Sequence, residues 1–438
     1  MKYIIEEVKS GKGRYFRKII KDDENRIIRQ FDVKYTSCST VIDDMTYYIL
    51  YDGNMRIVES VYKYINVKYK NASNNTKILY MKAIKQLYEF AAICECRISE
   101  LTIDQLNQFQ YFLRGYETGS RVNSIYMYTG KSKKDVYKYI SICQAYMKYC
   151  RFSNHKMLDC NLSNSVKNAN QKNFNCPKFI SYLEMEQILT FIDNDSSLCR
   201  EEKLKYKAVY MLMEYSGLRI GEVLGLTIED LKISTNSLGE TLYTAIIRNR
   251  ATDSSNQQAK TCLTVQNFKD YNSSEYKTKQ IGWQEVLLNE ETYYTVTDYF
   301  DTLDSRLRKD NLHPTNADCV ENHEDKNFRN YYIFTNKLNN KPLNIKCLSN
   351  YTKKVFKACG IQLDKDVREN NLFHRFRHGF SMHLLYEKKM PASIVIQYTR
   401  HTSTRSLEPY NNPTNEQLGQ LLLDLENENL TNSLDNLF

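Results

Sequence analysis

Apolar residues recur at helical spacing through most of this chain, and this periodicity constrains its fold more than any other feature. Thr102 and Gln105 form a capping box, and Leu106, Phe109 and Leu113 follow on one face of the helix that the box opens. The 438 residues include 14 glycines and six prolines, too few for the many turns of an all-β fold. The pattern therefore predicts a mainly α, multidomain chain with a small β-sheet.

Changes in composition divide the chain into segments. Residues 1–50 alternate short apolar clusters with charges, which predicts a few short strands or a loose N-terminal extension or arm. Helical stripes predict a compact helical domain over 54–152, and the polar, Asn-rich stretch 153–178 predicts a linker. A second domain over 179–412 and an acidic C-terminal helix and tail over 413–438 complete the predicted organisation.

The second predicted domain mixes helices with strands. Ser181 and Glu184 form a capping box at its start, and a later helix is expected to end at Gly217, the usual residue for a left-handed turn. A polar stretch over 305–328 predicts an insertion loop. The expected strands are 242–247, 262–265 and 283–288, and the expected helices are 201–216, 345–359, 374–386 and 392–398.

The charge distribution suits a polyanionic partner. The formal net charge is +9, yet residues 411–438 hold five acidic residues and no basic one. A basic body with an acidic tail indicates nucleic acid as the partner of the body and protein as the partner of the tail. One predicted helix and its approach carry lysines that are candidates for gripping DNA phosphates, although an ordinary solvated face would look the same: Lys131, Lys133, Lys134 and Lys138.

The cysteine pattern and the hydropathy indicate the cellular compartment in which the protein is expected. Twelve cysteines are scattered without a CxxC pair, which predicts free thiols in a reducing cytoplasm. Residues 1–13 are charged and lack the apolar centre of a signal peptide, and no apolar run approaches the length of a membrane span. The sequence therefore predicts a cytoplasmic protein without a membrane partner.

Residue types suited to phosphate chemistry cluster late in the second domain. His374 and Arg377 lie one helical turn apart, so that an imidazole and a guanidinium can bind one phosphate together. His401 stands nine residues before Tyr410, and the earlier segment SGLRIGEVLGL places Arg219 at a turn. Each fragment alone is also compatible with an ordinary structural role.

A zinc site is the alternative interpretation of the histidine cluster. His374, His378 and His383 are close in sequence, but an HExxH motif is absent and no neighbouring cysteine pair completes a ligand set. We therefore expect no metal and no cofactor.

These motifs, in this order, resemble the tyrosine recombinase, or phage integrase, family. That family's pattern is Arg in a G-L-R-x-x-E turn, Lys in a β-hairpin, H-x-x-R, a second His or Trp, and then Tyr. The resemblance covers about residues 54–412 and implies a helical core-binding domain followed by a mixed α/β catalytic domain. It also implies a site-specific enzyme that cuts and rejoins duplex DNA, moving a mobile element.

The resemblance assigns roles to individual residues. Arg219 and Arg377 would clamp the scissile phosphate, and His374 and His401 would complete the pocket, with His374 also moving protons. Tyr410 would attack phosphorus and form a 3′-phosphotyrosyl bond. A free phenol has a pKa near 10, so that at neutral pH it needs a base or cationic neighbours to act as a nucleophile.

The family's lysine has several candidates in this sequence. Lys260 precedes the expected strand 262–265 and is favoured because its hairpin would directly follow the first strand. Lys277 and Lys279 precede the strand 283–288 and are the rivals. The sequence also departs from the family at Arg400, where Gly is usual, which raises a question about the backbone turn before His401.

The acidic tail predicts a short docking helix. Thr414 and Gln417 form a capping box ahead of four leucines on one helical face, namely Leu418, Leu421, Leu422 and Leu425. A helix of about three turns is unstable alone in water, so it must dock. Its partner is either its own catalytic domain or, as the resemblance implies, a neighbouring protomer in a tetramer that holds two DNA sites.

Two alternative functions share these motifs. A type IB topoisomerase uses the same chemistry to relax supercoils without choosing a site. A catalytically silent DNA-binding relative would keep the fold and lose strand cleavage, although every catalytic residue type is present in this sequence.

Overall fold

The computed structural model describes two compact units, Met1–Asn173 and Phe174–Phe438. The residues that it describes are 2–11, 13–42, 45–115, 124–128, 130–159, 178–265, 268–278, 281–309, 323, 330–336, 341–363, 369–401, 407, 410, 418–419 and 422–423. None of the helices within these ranges is both long and apolar enough to cross a membrane.

The first unit begins with strands. They are β1 (Lys2–Ser10), β2 (Gly13–Lys21), β3 (Ile27–Val33), β4 (Thr36–Ile42), β5 (Met45–Tyr51) and the later β6 (Ser124–Met127). One sheet has the order β3-β2-β1-β6, in which β1 pairs with β2 antiparallel and with β6 parallel. Strands β4 and β5 form a separate antiparallel hairpin.

Helices make up the rest of the first unit. They are α1 (Glu59–Tyr62, continued by a π-helical turn over Lys63–Lys68), α2 (Asn74–Ile93), α3 (Ile103–Arg114), α4 (Lys133–Tyr149) and 3₁₀ turns over Ile98–Glu100 and Ser153–Asp159. The capping box that the sequence predicts is present at the start of α3, where Gln105 N donates to Thr102 Oγ1 at 3.3 Å and Thr102 N donates to Gln105 Oε1 at 2.9 Å. The 3₁₀ turn Ser153–Asp159 occupies the start of the predicted linker. Residues 160–177 of that linker lie outside the described part of the chain.

The N-terminal strands share one core with these helices. Phe16 of β2 is 1% exposed, and its ring lies 4.8 Å from that of Phe112 in α3. Leu50 of β5 is also fully buried in the same cluster. The sequence allowed short strands or a loose arm at 1–50, and the described residues form strands. Strands β2 and β5 contribute buried residues to the core, whereas β4 is exposed along its whole length.

The second unit combines helices with a three-stranded sheet. Its helices are α5 (Tyr182–Asn194), α6 (Arg200–Glu214), α7 (Ile220–Leu224), α8 (Ser274–Lys277), α9 (Glu290–Lys309), α10 (Ile345–Ala358), α11 (Glu369–Met382, continued by a π-helical turn over His383–Glu387) and α12 (Ala392–Thr399), with 3₁₀ turns at Ile228–Asp230 and Asp270–Asn272. Its strands are β7 (Leu231–Thr235), β8 (Thr241–Arg248) and β9 (Trp283–Leu288). Of the insertion loop expected over 305–328, residues 305–309 belong to α9 instead, and all the others except 323 lie outside the described residues.

The strand expected at 262–265 is wrong. Strand β8 pairs directly with β9, from Tyr243↔Leu288 to Arg248↔Trp283, and residues 262–265 lie in the connection between them. The side-chain amide of Asn249 donates to the carbonyls of Ala259, Cys262 and Leu263 at 2.9, 3.1 and 3.0 Å. These carbonyls are thereby satisfied without a sheet ladder, and Cys262 is buried by core packing instead of by strand alternation.

The turn after α6 positions the second unit's functional segments. Gly217 has φ +62°, in the left-handed region that the sequence anticipated. A Cβ on Gly217 would lie 2.3 Å from Cδ1 of Phe380, so that only glycine permits α11 to pack this closely. Tyr210 of α6 also stacks on Phe376 of α11 with ring centroids 4.8 Å apart. Together these contacts bring the turn that carries Arg219 next to the face of α11 that carries Arg377.

Candidate active site

Arg219 and Glu222 form the first part of the site, at the start of α7. The backbone N–H of Arg219 donates to Glu222 Oε2 at 2.9 Å, and its guanidinium Nη1 donates to Glu222 Oε1 at 2.7 Å. The Glu222 side chain is fully buried, whereas that of Arg219 is 15% exposed. The spacing in G-L-R-x-x-E therefore serves as a local clamp that fixes the arginine at the helix N-terminus.

Arg377 joins three segments of the chain. Its guanidinium donates to the carbonyl of Gly217 before α7 and to the carbonyl of Thr399 at the end of α12. The same group lies 3.5 Å from Nε2 of His401. Arg377 is 2% exposed, so its position is fixed by packing as well as by hydrogen bonds.

Arg400 is a third arginine of the site, and the sequence reasoning did not assign it a role. Its backbone has φ +52° and ψ +44°, so the left-handed turn is kept although glycine is absent. That conformation costs a non-glycine residue roughly 1–2 kcal/mol. The side chain donates to Glu222 Oε2 at 2.8 Å and to the Gly217 carbonyl at 3.2 Å, and these bonds offset the strain. In the sequence, position 400 stood out only because it carries Arg where the family usually has Gly.

The buried cluster carries more positive than negative charge. Three guanidinium groups, of Arg219, Arg377 and Arg400, surround the single carboxylate of Glu222. Although burial opposes ionisation, these arginines hold the pKa of Glu222 well below its usual range. Burial, Arg219 and Arg400 lower the pKa of Arg377 to about 9 against the opposing pull of Glu222. Buried cations that lack full compensation favour the binding of an anion.

The three histidines of this region are neutral at physiological pH. Burial first, and then Arg377 and Arg219, lower the pKa of His374 to about 4 and that of His401 to about 3. Burial, followed by His374 and Arg377, lowers the pKa of His378 to about 3. A neutral imidazole presents one N–H donor and one acceptor nitrogen. His401 uses Nδ1 in a 2.8 Å hydrogen bond with Thr399 Oγ1.

Tyr410 lies beside His378 and His401 and is 3% exposed. Its phenol oxygen is 2.5 Å from Nδ1 of His378, and its ring centroid is 6.5 Å from that of His401. The hydroxyl of Tyr386 donates to the Tyr410 carbonyl at 2.6 Å and holds the backbone at this point. Burial raises the pKa of Tyr410 despite opposing effects of Ser381, Arg377 and Arg219, so the phenol is protonated at rest.

The lysines occupy different surroundings. Lys260 is exposed in the connection between β8 and β9, and its charge contributes to the lowered pKa of His374. The backbone just before it is anchored, since Gln257 Nε2 donates to the Leu343 carbonyl at 2.8 Å and Ala259 N donates to Asn249 Oδ1 at 2.7 Å. Lys277 is exposed at the end of α8, and Lys279 lies outside the described residues.

The lysines proposed to contact DNA lie in the first unit. The ammonium of Lys131 stands 4.5 Å from the ring centroid of Tyr139, and burial lowers the pKa of this lysine. Lys138 is half-exposed, with its ammonium 3.8 Å from Asp135. The side chains of Lys133 and Lys134 are not described. Of the two described side chains, Lys131 and Lys138, that of Lys138 is the more exposed.

The histidines do not converge as metal ligands. His378 bonds Tyr410, while His383 Nδ1 lies 2.6 Å from Glu387 Oε2. Within the described ranges, no group of three or more His, Cys, Asp or Glu side chains is arranged to hold a metal ion. The zinc alternative therefore has no ligand set in this part of the chain.

Residues 262–417 match the phage integrase family, and the predicted resemblance to that family is confirmed. His374, Arg377, His401 and Tyr410 fall within the match, whereas Arg219 and Lys260 precede it. No curated protein matches the chain.

Several solved structures are similar to this chain. XerH site-specific recombinase bound to a palindromic difH substrate has a TM-score of 0.50 and 17% identity, covering 82% of this chain and 82% of that chain. The Tn1549 transposon integrase in complex with a circular intermediate DNA has a TM-score of 0.49 and 15% identity, covering 84% and 98%. A lambda integrase dimer bound to a COC′ core site has a TM-score of 0.43 and 14% identity, covering 80% and 76%.

Proposed function

We propose that this chain, which carries a phage integrase segment at 262–417, is a site-specific tyrosine recombinase that cuts and rejoins duplex DNA for a mobile element. The observation that carries the proposal is the buried phenol of Tyr410 in a pocket where three arginines face one carboxylate. Such a pocket suits a phosphodiester, and a phenol at its wall suits covalent attack. XerH holds its difH substrate on the same fold, which supports duplex DNA as the substrate.

Arg219 and Arg377 bind the non-bridging oxygens of the scissile phosphate. Glu222 and the Gly217 carbonyl hold these guanidinium groups before substrate arrives. Donors that are fixed in advance stabilise the charge that develops on the phosphoryl oxygens without reorganising during the reaction. His374 and His401, both neutral, complete the pocket as hydrogen-bond donors. The chain supplies this stabilisation from its own side chains, and no cofactor takes part in the proposed steps.

Tyr410 then attacks phosphorus. The bond from its phenol oxygen to phosphorus forms, the bond from phosphorus to the 5′-oxygen breaks, and a 3′-phosphotyrosyl intermediate results. The 5′-oxygen leaves as a hydroxyl after it takes a proton, for which Lys260 is the proposed donor. Attack by a 5′-hydroxyl on the intermediate reverses these changes. The phosphotyrosyl bond conserves the energy of the broken phosphodiester, so rejoining needs no nucleoside triphosphate such as ATP.

Covalent capture tests this function. A duplex from the flanks of the encoding gene, nicked so that the cleaved end diffuses away, should trap the wild-type chain as an adduct that survives denaturing electrophoresis. Capture at one defined position supports a site-specific recombinase. Relaxation of site-free supercoiled plasmid would instead favour the topoisomerase alternative, and binding without an adduct would favour the silent relative.

The leaving-group lysine gives a separate prediction. A 5′-phosphorothiolate substrate has a leaving group that needs no proton, so it should restore cleavage to Lys260→Ala. The same substrate should leave Tyr410→Phe inactive, because the nucleophile is missing. Single-turnover cleavage of normal and sulfur-substituted duplexes measures both effects. If Lys260→Ala is fully active on normal DNA and Lys279→Ala is the variant that sulfur rescues, the role belongs to Lys279.

In the proposed organisation, DNA binding and catalysis are assigned to different parts of the chain. The helical part over 54–152 serves as the core-binding domain, and residues 179–412 serve as the catalytic domain. The nine described cysteines are free thiols, which fits the cytoplasmic location expected from the sequence.

The acidic tail is proposed to connect protomers in a tetramer that holds two DNA sites. Leu418 and Leu422 of the expected leucine stripe are 45% and 62% exposed, so these two side chains are free to contact another subunit. Leu421 and Leu425 lie outside the described residues. Exposed leucines four residues apart form one apolar face of a helix, which needs a partner to be stable.

We expect Leu418→Asp/Leu422→Asp to bind a single DNA site normally and to lose the synaptic complex of two sites. The charges would prevent burial of this face against a neighbouring protomer without touching the phosphate pocket. Gel-shift assays and size-exclusion chromatography with light scattering separate the two complexes. Leu183→Asp, a similarly exposed leucine on α5 at 66%, is the matched control. Wild-type levels of synaptic complex in the double variant would exclude this role for the tail.

A further inference from the structure

We propose that His378 is the base that receives the phenol proton of Tyr410 when the tyrosine attacks DNA, an inference that rests on the proposed recombinase function. His378 follows Arg377 directly in α11. Its Nδ1 lies 2.5 Å from the Tyr410 phenol oxygen, and the two ring centroids are 5.3 Å apart. This contact joins α11 to the segment after α12, across 32 residues of sequence.

Both partners of this hydrogen bond are uncharged in the free pocket. Burial, His374 and Arg377 lower the pKa of His378 to about 3, so the ring is neutral at physiological pH. Burial raises the pKa of Tyr410, so the phenol keeps its proton. A neutral imidazole carries its proton on one of its two nitrogens. In the tautomer with the proton on Nε2, the phenol O–H donates to Nδ1, and this is the arrangement that the proposal requires. An imidazole nitrogen that already accepts from the nucleophile is in the position that a general base requires.

Among the imidazoles of the described residues, His378 is the one that contacts the Tyr410 phenol oxygen. His401 bonds Thr399 Oγ1 through Nδ1 at 2.8 Å, and its Nε2 faces the Arg377 guanidinium at 3.5 Å. The ring centroid of His374 lies 5.6 Å from that of His378, whereas the phenol of Tyr410 contacts His378. Ser381 lowers the pKa of Tyr410, and its hydroxyl donates to the Arg377 carbonyl at 3.1 Å, so it supports the phenolate that forms but does not take the proton.

Substrate would strengthen this base. In the free pocket, cationic Arg377 and the neighbouring imidazole of His374 oppose protonation of His378, and His401 and Tyr410 face it from the segment after α12. A scissile phosphate brings negative charge between these groups and stabilises an imidazolium. As the phenol oxygen bonds to phosphorus, its proton passes to Nδ1, and the bond to the 5′-oxygen breaks. On rejoining, His378 returns that proton to the departing tyrosine.

Replacing His378 by Asn tests proton transfer apart from positioning. The Asn amide oxygen can accept a hydrogen bond from the phenol, but it cannot take up a proton at neutral pH. We expect DNA affinity to stay near wild type and single-turnover cleavage to fall by about 10²–10⁴-fold, the usual contribution of a general base. The remaining rate should rise about tenfold per pH unit, because hydroxide must then remove the proton.

His383→Asn is the matched control. His383 lies further along the same helical segment, pairs with Glu387 at 2.6 Å and takes no part in the pocket, so this variant should cleave at the wild-type rate. Cleavage by His378→Asn at the wild-type rate, with an unchanged pH profile, would overturn the proposal. Loss of activity in His378→Ala but not in His378→Asn would also overturn it, since that result assigns positioning alone.

A measurement on the unaltered chain covers the case in which these variants do not fold. With ¹⁵N-labelled histidine rings, Nδ1 of His378 should resonate as an unprotonated acceptor, and its signal should shift in Tyr410→Phe. A protonated Nδ1 in the wild-type chain would exclude the proposed transfer. If the wild-type chain gives no covalent adduct, the recombinase function itself fails. If the wild-type chain forms the adduct and His378→Asn cleaves at the wild-type rate, only the role of His378 as the base is excluded.

Discussion

Tyr410→Phe should abolish the covalent protein–DNA adduct while folding and duplex binding stay near wild type. The substitution removes one oxygen, which is the proposed nucleophile. Its cost in stability is that of the hydrogen bond to His378, about 1 kcal/mol. The loss of cleavage should be complete because no other group can form the phosphotyrosyl bond. Denaturing electrophoresis after incubation with a nicked duplex measures the adduct, and thermal unfolding measures stability.

Tyr398→Phe provides a matched control for this variant. Tyr398 is 41% exposed on α12, close in sequence to His401, and lies outside the pocket. The control should form the adduct at wild-type levels. An adduct that persisted in Tyr410→Phe would mean that a different residue is the nucleophile.

Arg377→Ala and Arg219→Ala should each reduce single-turnover cleavage by about 10²–10³-fold or more. A preorganised donor to developing charge is worth roughly 3–4 kcal/mol in a water-excluded site. Arg377→Ala should also lower the unfolding temperature, because the Gly217 and Thr399 carbonyls lose a buried donor. Arg219→Ala is the cleaner probe of chemistry, since Glu222 keeps its ion pair with Arg400.

Arg375→Ala separates chemistry from stability in this series. Arg375 lies on the same helix, is 5% exposed and donates to the Gln362 carbonyl at 2.7 Å. Its replacement should lower the unfolding temperature and leave the cleavage rate of the folded fraction unchanged. Unchanged single-turnover cleavage in Arg377→Ala would contradict the proposed phosphate clamp.

Features that depend on neighbouring residues could be predicted from the sequence. The capping boxes at Thr102 and Ser181 form as expected, because donor and acceptor are three residues apart. The left-handed turn at Gly217 is also local, since it follows from the freedom of φ at glycine. The motif order around His374, Arg377 and Tyr410 was sufficient to predict the family, although it did not reveal their partners.

The surroundings of the candidate site could not be predicted in this way. His378 was considered only as a zinc ligand, because neither its spacing nor its residue type reveals that Tyr410 meets it across 32 residues. Arg400 counted as a departure from the family, yet its side chain reaches Glu222 across 178 residues. Segment 262–265 is apolar enough to predict a strand. In the structure, however, the Asn249 side-chain amide donates hydrogen bonds to the carbonyls of Ala259, Cys262 and Leu263, so these groups do not need a strand partner.

The order of residues along the chain was enough to predict the helix starts after Thr102 and Ser181 and the turn at Gly217, and it shows which residue types are available for phosphate chemistry. Those properties arise from hydrogen bonds and steric limits within a few residues. The tertiary structure alone decided which of these groups meet, and therefore the charge of the pocket and the partner of the phenol. Contacts between distant segments depend on how whole helices pack, and a pKa depends on the burial and charges that this packing creates.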